Sequence, residues 1–80
     1  MDELRSIFAE NVAALRRAAG MTQLQMAERL NYSDKAISKW ERGESIPDVA
    51  MLKAVADLFS VPVDYLLERE HKKEPEVKQT

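Results

Sequence analysis

The sequence contains no cysteine, which excludes disulfides, thiolate metal sites and thiol nucleophiles together and fits a reducing compartment. Its one histidine, His71, lies in a charged C-terminal stretch with no second imidazole or thiol anywhere in the chain, so neither a metal site nor a histidine base is expected. No apolar run approaches the roughly 18–20 residues that span a bilayer, and the acidic start does not read as a signal peptide. A cytoplasmic location is the expectation. Glycine numbers two and forms no phosphate-cradling loop, and no nucleophile stands beside a base. An enzyme, a cofactor and a small-molecule ligand are therefore not expected.

What is present suffices for one domain. Eighty residues build at most a single core, and 45% apolar side chains are too many for a wholly disordered chain. Twelve basic residues against fourteen acidic ones leave a net charge of -2, which argues against a general polyanion binder unless the positive charges are segregated. They are. Residues 16–42 carry Arg16, Arg17, Arg29, Lys35, Lys39 and Arg42 against Glu28, Asp34 and Glu41, whereas residues 43–70 are strongly acidic. Because salt confines each charge to about 10 Å, one basic face can coexist with an acidic whole.

Apolar spacing predicts helix after helix and no strand. Leu4, Ile7/Phe8, Val12, Leu15 and Ala19 form one stripe, with Gly20 as the stop. Thr22 and Gln25 form a capping-box pattern that opens a second helix with Met26, Ala27 and Leu30 inside, and Asn31 suits a left-handed ending. Ser33 caps a third helix running to Arg42, stopped by Gly43. Ile46, Pro47 and Asp48 read as a loop before a fourth helix, in which Val49, Leu52, Val55, Ala56 and Phe59 repeat. Val61 and Pro62 open a last short turn that closes the core with Val63, Leu66 and Leu67. The expected fold is all-α, a five-helix bundle over residues 1–68, followed by a charged tail over 69–80.

Within it, residues 22–43 carry the functional signal. Only Asn31, Tyr32 and Ser33 join the second and third helices, too few for an antiparallel return, so the pair must cross steeply as a helix-turn-helix. With Ile37 and Trp40 facing inward, the third helix exposes Asp34, Lys35, Ser38, Lys39 and Arg42. This polar face, net positive, sits on a cylinder about 10–12 Å wide that matches a major groove of about 12 Å.

The chain from Phe8 to Leu67 resembles the phage repressor and Cro family, the bacterial regulators named for the xenobiotic response element. The matching segments are Leu15–Gln23, Met26–Leu30, Ser33, Ala36–Gly43, Ile46-Pro47 and Ala56–Leu67. The resemblance implies a lambda-repressor-like domain in which Gln23 and Arg42 reach phosphates while Asp34, Lys35 and Lys39 read base edges. It adds Ser38 as a groove contact and pairs Arg16 with Glu41 structurally. Asp34 either accepts from cytosine N4 or helps Ser33 cap the helix; Arg17 reaches either a phosphate or water. Asn31 stands in place of the family's usual glycine, Leu24 where polar residues are common, and Pro62 in place of a serine cap.

The function expected is sequence-specific binding of double-stranded DNA by a transcriptional regulator, a repressor acting as a homodimer on a palindrome. Met51 and Leu58, with Leu24 or Tyr65, are candidates for the dimer surface, or else finish the core. The rival reading is a protein-interaction module of the same fold, such as an antitoxin or a regulator's partner.

Overall fold

Five helices make up the regular structure in residues 3–69, the part of the chain that the computed structural model describes. They are α1 (Glu3–Ala18), α2 (Gln23–Leu30), α3 (Asp34–Glu41), α4 (Val49–Leu58) and α5 (Val63–Leu66). The described residues contain no strand. His71 and the expected tail beyond Arg69 lie outside them.

Local chemistry sets where each helix begins. The Thr22 hydroxyl accepts from the Gln25 amide at 3.0 Å while the Gln25 side chain accepts from the Thr22 amide at 2.9 Å, the two halves of the capping box. Ser33 Oγ accepts from the amides of Lys35 and Ala36. Asp48, read from the sequence only as loop, is the N-cap of α4 and accepts from the Met51 amide at 2.9 Å. Each such bond satisfies a donor that the helix itself leaves unpaired.

Four helices also end alike. In each, a residue of positive φ turns the chain so that two successive amides close back on the last carbonyls, the Schellman pattern. After α1, Gly20 and Met21 donate to Arg17 and Arg16; after α2, Asn31 and Tyr32 donate to Glu28 and Ala27. After α3, Gly43 and Glu44 donate to Trp40 and Lys39; after α4, Ser60 and Val61 donate to Asp57 and Ala56. Asn31 adopts φ 53, as its side chain favours. Ser60 adopts φ 57, which the sequence did not announce.

Every helix supplies the core. Phe8 and Val12 meet Met26, Ala27, Ile37, Trp40, Val55, Ala56 and Leu66 in one buried cluster, and each large member contributes about 1.5–3 kcal/mol by leaving water. Phe8 packs edge-on against Trp40, ring centroids 6.0 Å apart. Three residues at the ends of the expected stripes fall outside this core. Leu4 is exposed in the first turn of α1, and Val49, the first residue of α4, is 82% exposed because Asp48 starts the helix before its inner face reaches the core. Ala19 likewise lies past α1 and is exposed.

One buried polar residue ties the ends of the described chain together. Asn11 shares the inner side of α1 with Phe8 and Val12 and is only 8% exposed. Its Nδ2 donates to the carbonyls of Tyr65, Leu66 and Glu68 at 3.1, 3.0 and 2.9 Å. Those carbonyls belong to α5 and the residues after it, where a four-residue helix has few partners of its own. This amide thus adds a polar tie between α1 and α5 to the apolar packing of Leu66 on the core.

Candidate nucleic-acid interface

The geometry of α3 follows from what holds it down. Ile37 and Trp40, on one side, are buried between α1 and α2, the two helices against which α3 packs. The opposite side follows from a rotation of 100° per residue. It presents Asp34, Lys35, Lys39 and Arg42 to solvent, with Ser38 half-buried among them. The expected groove-facing set is therefore brought together on one uncovered face. Asp34 opens the helix, where its negative charge complements the helix dipole, and Ser33 alone supplies the side-chain cap bonds.

Beneath that face lies an ion pair that fixes its position. Arg16 Nε donates to Glu41 Oε2 at 2.6 Å and Nη2 donates to Oε1 at 3.0 Å, a two-pronged contact from α1 to the last residue of α3. The third nitrogen, Nη1, donates to the Met21 carbonyl at 2.7 Å. Gln23 Nε2, at the start of α2, donates to Glu41 Oε1 at 3.0 Å. Side chains from two helices, α1 and α2, thus converge on the one carboxylate of α3, and the side chains of Arg16 and Glu41 are only 13% and 7% exposed. Burial pushes the Glu41 carboxyl up, but the hydrogen bonds from Arg16 and Gln23, with the charges of Arg16 and Arg17, outweigh it and hold the group below its ordinary value. The hydrogen bond to Glu41 in turn raises the Arg16 guanidinium. Gln23, expected at a phosphate, spends one amide proton on this inner cluster and keeps the other.

A second cluster lies on the surface. Arg42 Nε donates to Glu44 Oε2 at 2.9 Å and Nη2 donates to Oε1 at 3.2 Å, while Nη1 donates to Ser38 Oγ. Its hydrogen bond from Arg42 holds the Glu44 carboxyl below its ordinary range. Two members of the expected set, Ser38 and Arg42, are therefore bonded to each other, and Arg42 is bonded also to a residue that the sequence reading passed over. Arg17 is exposed on α1.

Of the four candidates for a dimer contact, Leu24 is exposed on α2, while Met51 and Leu58 are half-buried and pack against the core. Tyr65 is half-buried on α5.

Three contributors escaped the sequence reading. Asn11 left a faint signal, a polar residue on an otherwise apolar stripe. Glu44 left none, since its approach to Arg42 depends on the turn at Gly43. Tyr32, in the turn between α2 and α3, stacks its ring on Trp40 with centroids 5.8 Å apart and 22° between planes, which ties that turn to the last turn of α3.

Comparison with known proteins accords with this arrangement. The family described as "Helix-turn-helix" matches residues 12–66. The chain is 44% identical over 63 residues to the HTH-type transcriptional activator BcrR of Enterococcus faecalis, covering 79% of this chain and 31% of that protein. It is 35% identical over 60 residues to the cryptic phage CTXphi transcriptional repressor RstR of Vibrio cholerae, covering 75% of this chain and 54% of that one. The chain thus spans about a third to a half of the length of these curated relatives. A solution structure of the SOS-response transcriptional repressor LexA from Eubacterium rectale superposes with a TM-score of 0.85 at 27% identity, over 96% of this chain and 82% of the other.

Proposed function

The chain belongs to the helix-turn-helix family, the Cro and phage-repressor type of transcriptional regulator, and from that premise we propose that it represses transcription by binding a specific double-stranded DNA sequence. The observation that carries the reading is the outer side of α3: five polar side chains, three of them basic, on a helix whose inner side alone is anchored. Lys35 and Lys39, with Asp34 and Ser38, read base edges in the major groove, and lysine favours guanine O6 and N7. Gln23, Arg42 and Arg17 contact phosphates, which set register without carrying sequence information. Catalysis has no part in this function, and the protein acts in the cytoplasm by occupying a promoter.

One such helix reads only about four or five base pairs, too few for a genomic address. The protein therefore acts as a homodimer on a palindrome, with half-sites about 10 base pairs apart, centre to centre. Met51 and Leu58, with Leu24 or Tyr65, supply its two-fold contact. Residues 1–68 are the DNA-binding domain, and 69–80 are a charged segment that follows it in sequence.

Selection from random double-stranded DNA tests the reading most directly. It should return a palindrome with at least one G·C pair in each half-site, bound with a steep negative dependence of affinity on salt. Lys39→Ala should cost about 1–3 kcal/mol on that site and relax preference at one base pair. Recovery of no sequence at 50 mM salt would favour the protein-interaction module instead.

A further inference from the structure

We propose, building on the DNA-binding reading above, that Glu44 occupies on Arg42 the place of a DNA phosphate, and that by competing with the duplex for this guanidinium it sets how tightly the α3 face binds. The contact has the form that a phosphate would take. Both Glu44 oxygens accept from the Nε and Nη2 edge of Arg42, at 2.9 and 3.2 Å, and two-pronged recognition along that edge is what arginine offers carboxylates and phosphates alike. Ser38 takes Nη1. A phosphate that reaches this edge must first expel the carboxylate.

The backbone puts Glu44 there. Gly43 turns the chain at φ 76, and the Glu44 amide closes on the Lys39 carbonyl at 3.0 Å. That bond returns residue 44 to the last turn of α3 and leaves its side chain beside Arg42. Lys39, another member of the groove-facing set, also acts on the Glu44 carboxylate through its charge. Stability does not account for the contact. Both side chains are half-exposed, at 53% and 51%, and ion pairs in that setting contribute little to folding. What such a pair does control is which anion the guanidinium holds.

The competition has a definite signature. With Glu44 in place, engaging a phosphate frees a carboxylate next to the DNA backbone, so part of the gain in attraction is cancelled by like charge. Glu44→Gln removes both the competitor and the repulsion. The gain should be alike on the selected site and on unrelated DNA, because a phosphate contact carries no sequence information.

A double-mutant cycle read by band shift between 50 and 200 mM salt tests this, with wild type, Glu44→Gln, Arg42→Ala and the double variant on the selected DNA. Glu44→Gln should bind about three- to tenfold more tightly, with a slope of log K against log salt steeper by about one. In the Arg42→Ala background, the same change should do much less, leaving only the relief of like-charge repulsion. Thermal melts of all four proteins check that each is folded. An undiminished effect of Glu44→Gln without Arg42 would reduce Glu44 to a general surface charge and overturn the proposal, as would weaker binding by Glu44→Gln. Either failure leaves the wild-type complex intact, whereas a wild type that binds no DNA removes the function and this inference together.

Discussion

Two clusters in this molecule share one chemistry at opposite depths. In each, a glutamate takes an arginine by both oxygens and a neutral polar side chain completes the group: Arg16, Glu41 and Gln23 inside, Arg42, Glu44 and Ser38 outside. The inner carboxylate is met from α1 and α2 and almost shut off from water, so removing either charge strands the other. The outer pair lies in solvent, where water and salt compete for both partners. Residue type alone does not distinguish a lock from a docking group. Depth does.

The largest effect should come from breaking the lock. Arg16→Ala should cost about 3–5 kcal/mol of stability, and at roughly 4–8 °C per kcal/mol for a domain this small the melting temperature should fall well beyond 10 °C. A melt close to wild type would erase the distinction between the clusters. Acid attacks the same lock more gently. Glu41 is held below its ordinary value in the folded chain, so it stabilises above the unfolded carboxyl value of about 4.3. That contribution is lost as pH falls through the lower, folded value. Urea titrations from pH 6 to pH 3 should show this loss in wild type and a flatter profile in Glu41→Gln; parallel profiles would mean that other carboxylates dominate.

Breaking the outer cluster should leave the fold alone. Arg42→Ala is expected to melt within experimental scatter of wild type while the salt slope on DNA falls by about one. A large drop in melting temperature would make both clusters structural and end the comparison. The smallest effect expected lies outside both. Ser60 holds a left-handed backbone without the freedom of glycine, so Ser60→Gly should stabilise by up to about 1 kcal/mol; a loss would mean that the added flexibility of the unfolded chain outweighs the relief of strain.

Much of the fold could be read from neighbours in sequence. The capping box at Thr22 and Gln25, the left-handed turn at Asn31, the cap at Ser33 and the stop at Gly43 all act within a few residues, so short-range patterns reveal them. The inward pair Ile37 and Trp40 followed from helical spacing, and the uncovered side of α3 followed from them. Long-range contacts stayed hidden. Asn11 finds its carbonyls more than fifty residues away, and no local rule indicates that α5 needs them. Val49 fits the α4 repeat yet lies in solvent, because spacing gives the direction of a side chain and not the point at which its helix first touches the core. Glu44 reaches Arg42, only two residues away, because the chain doubles back on α3 at Gly43; the glycine marks the turn but not which side chain it returns to the helix.

The stacking of Tyr32 on Trp40 gives the molecule a light source of its own. The indole is the only one in the chain, lies buried on the inner side of α3, and has the phenol ring of an exposed turn within energy-transfer range. Any ligand that presses on that turn will alter how the phenol passes its excitation to the indole, so ultraviolet emission of the unlabelled protein can report occupancy in real time.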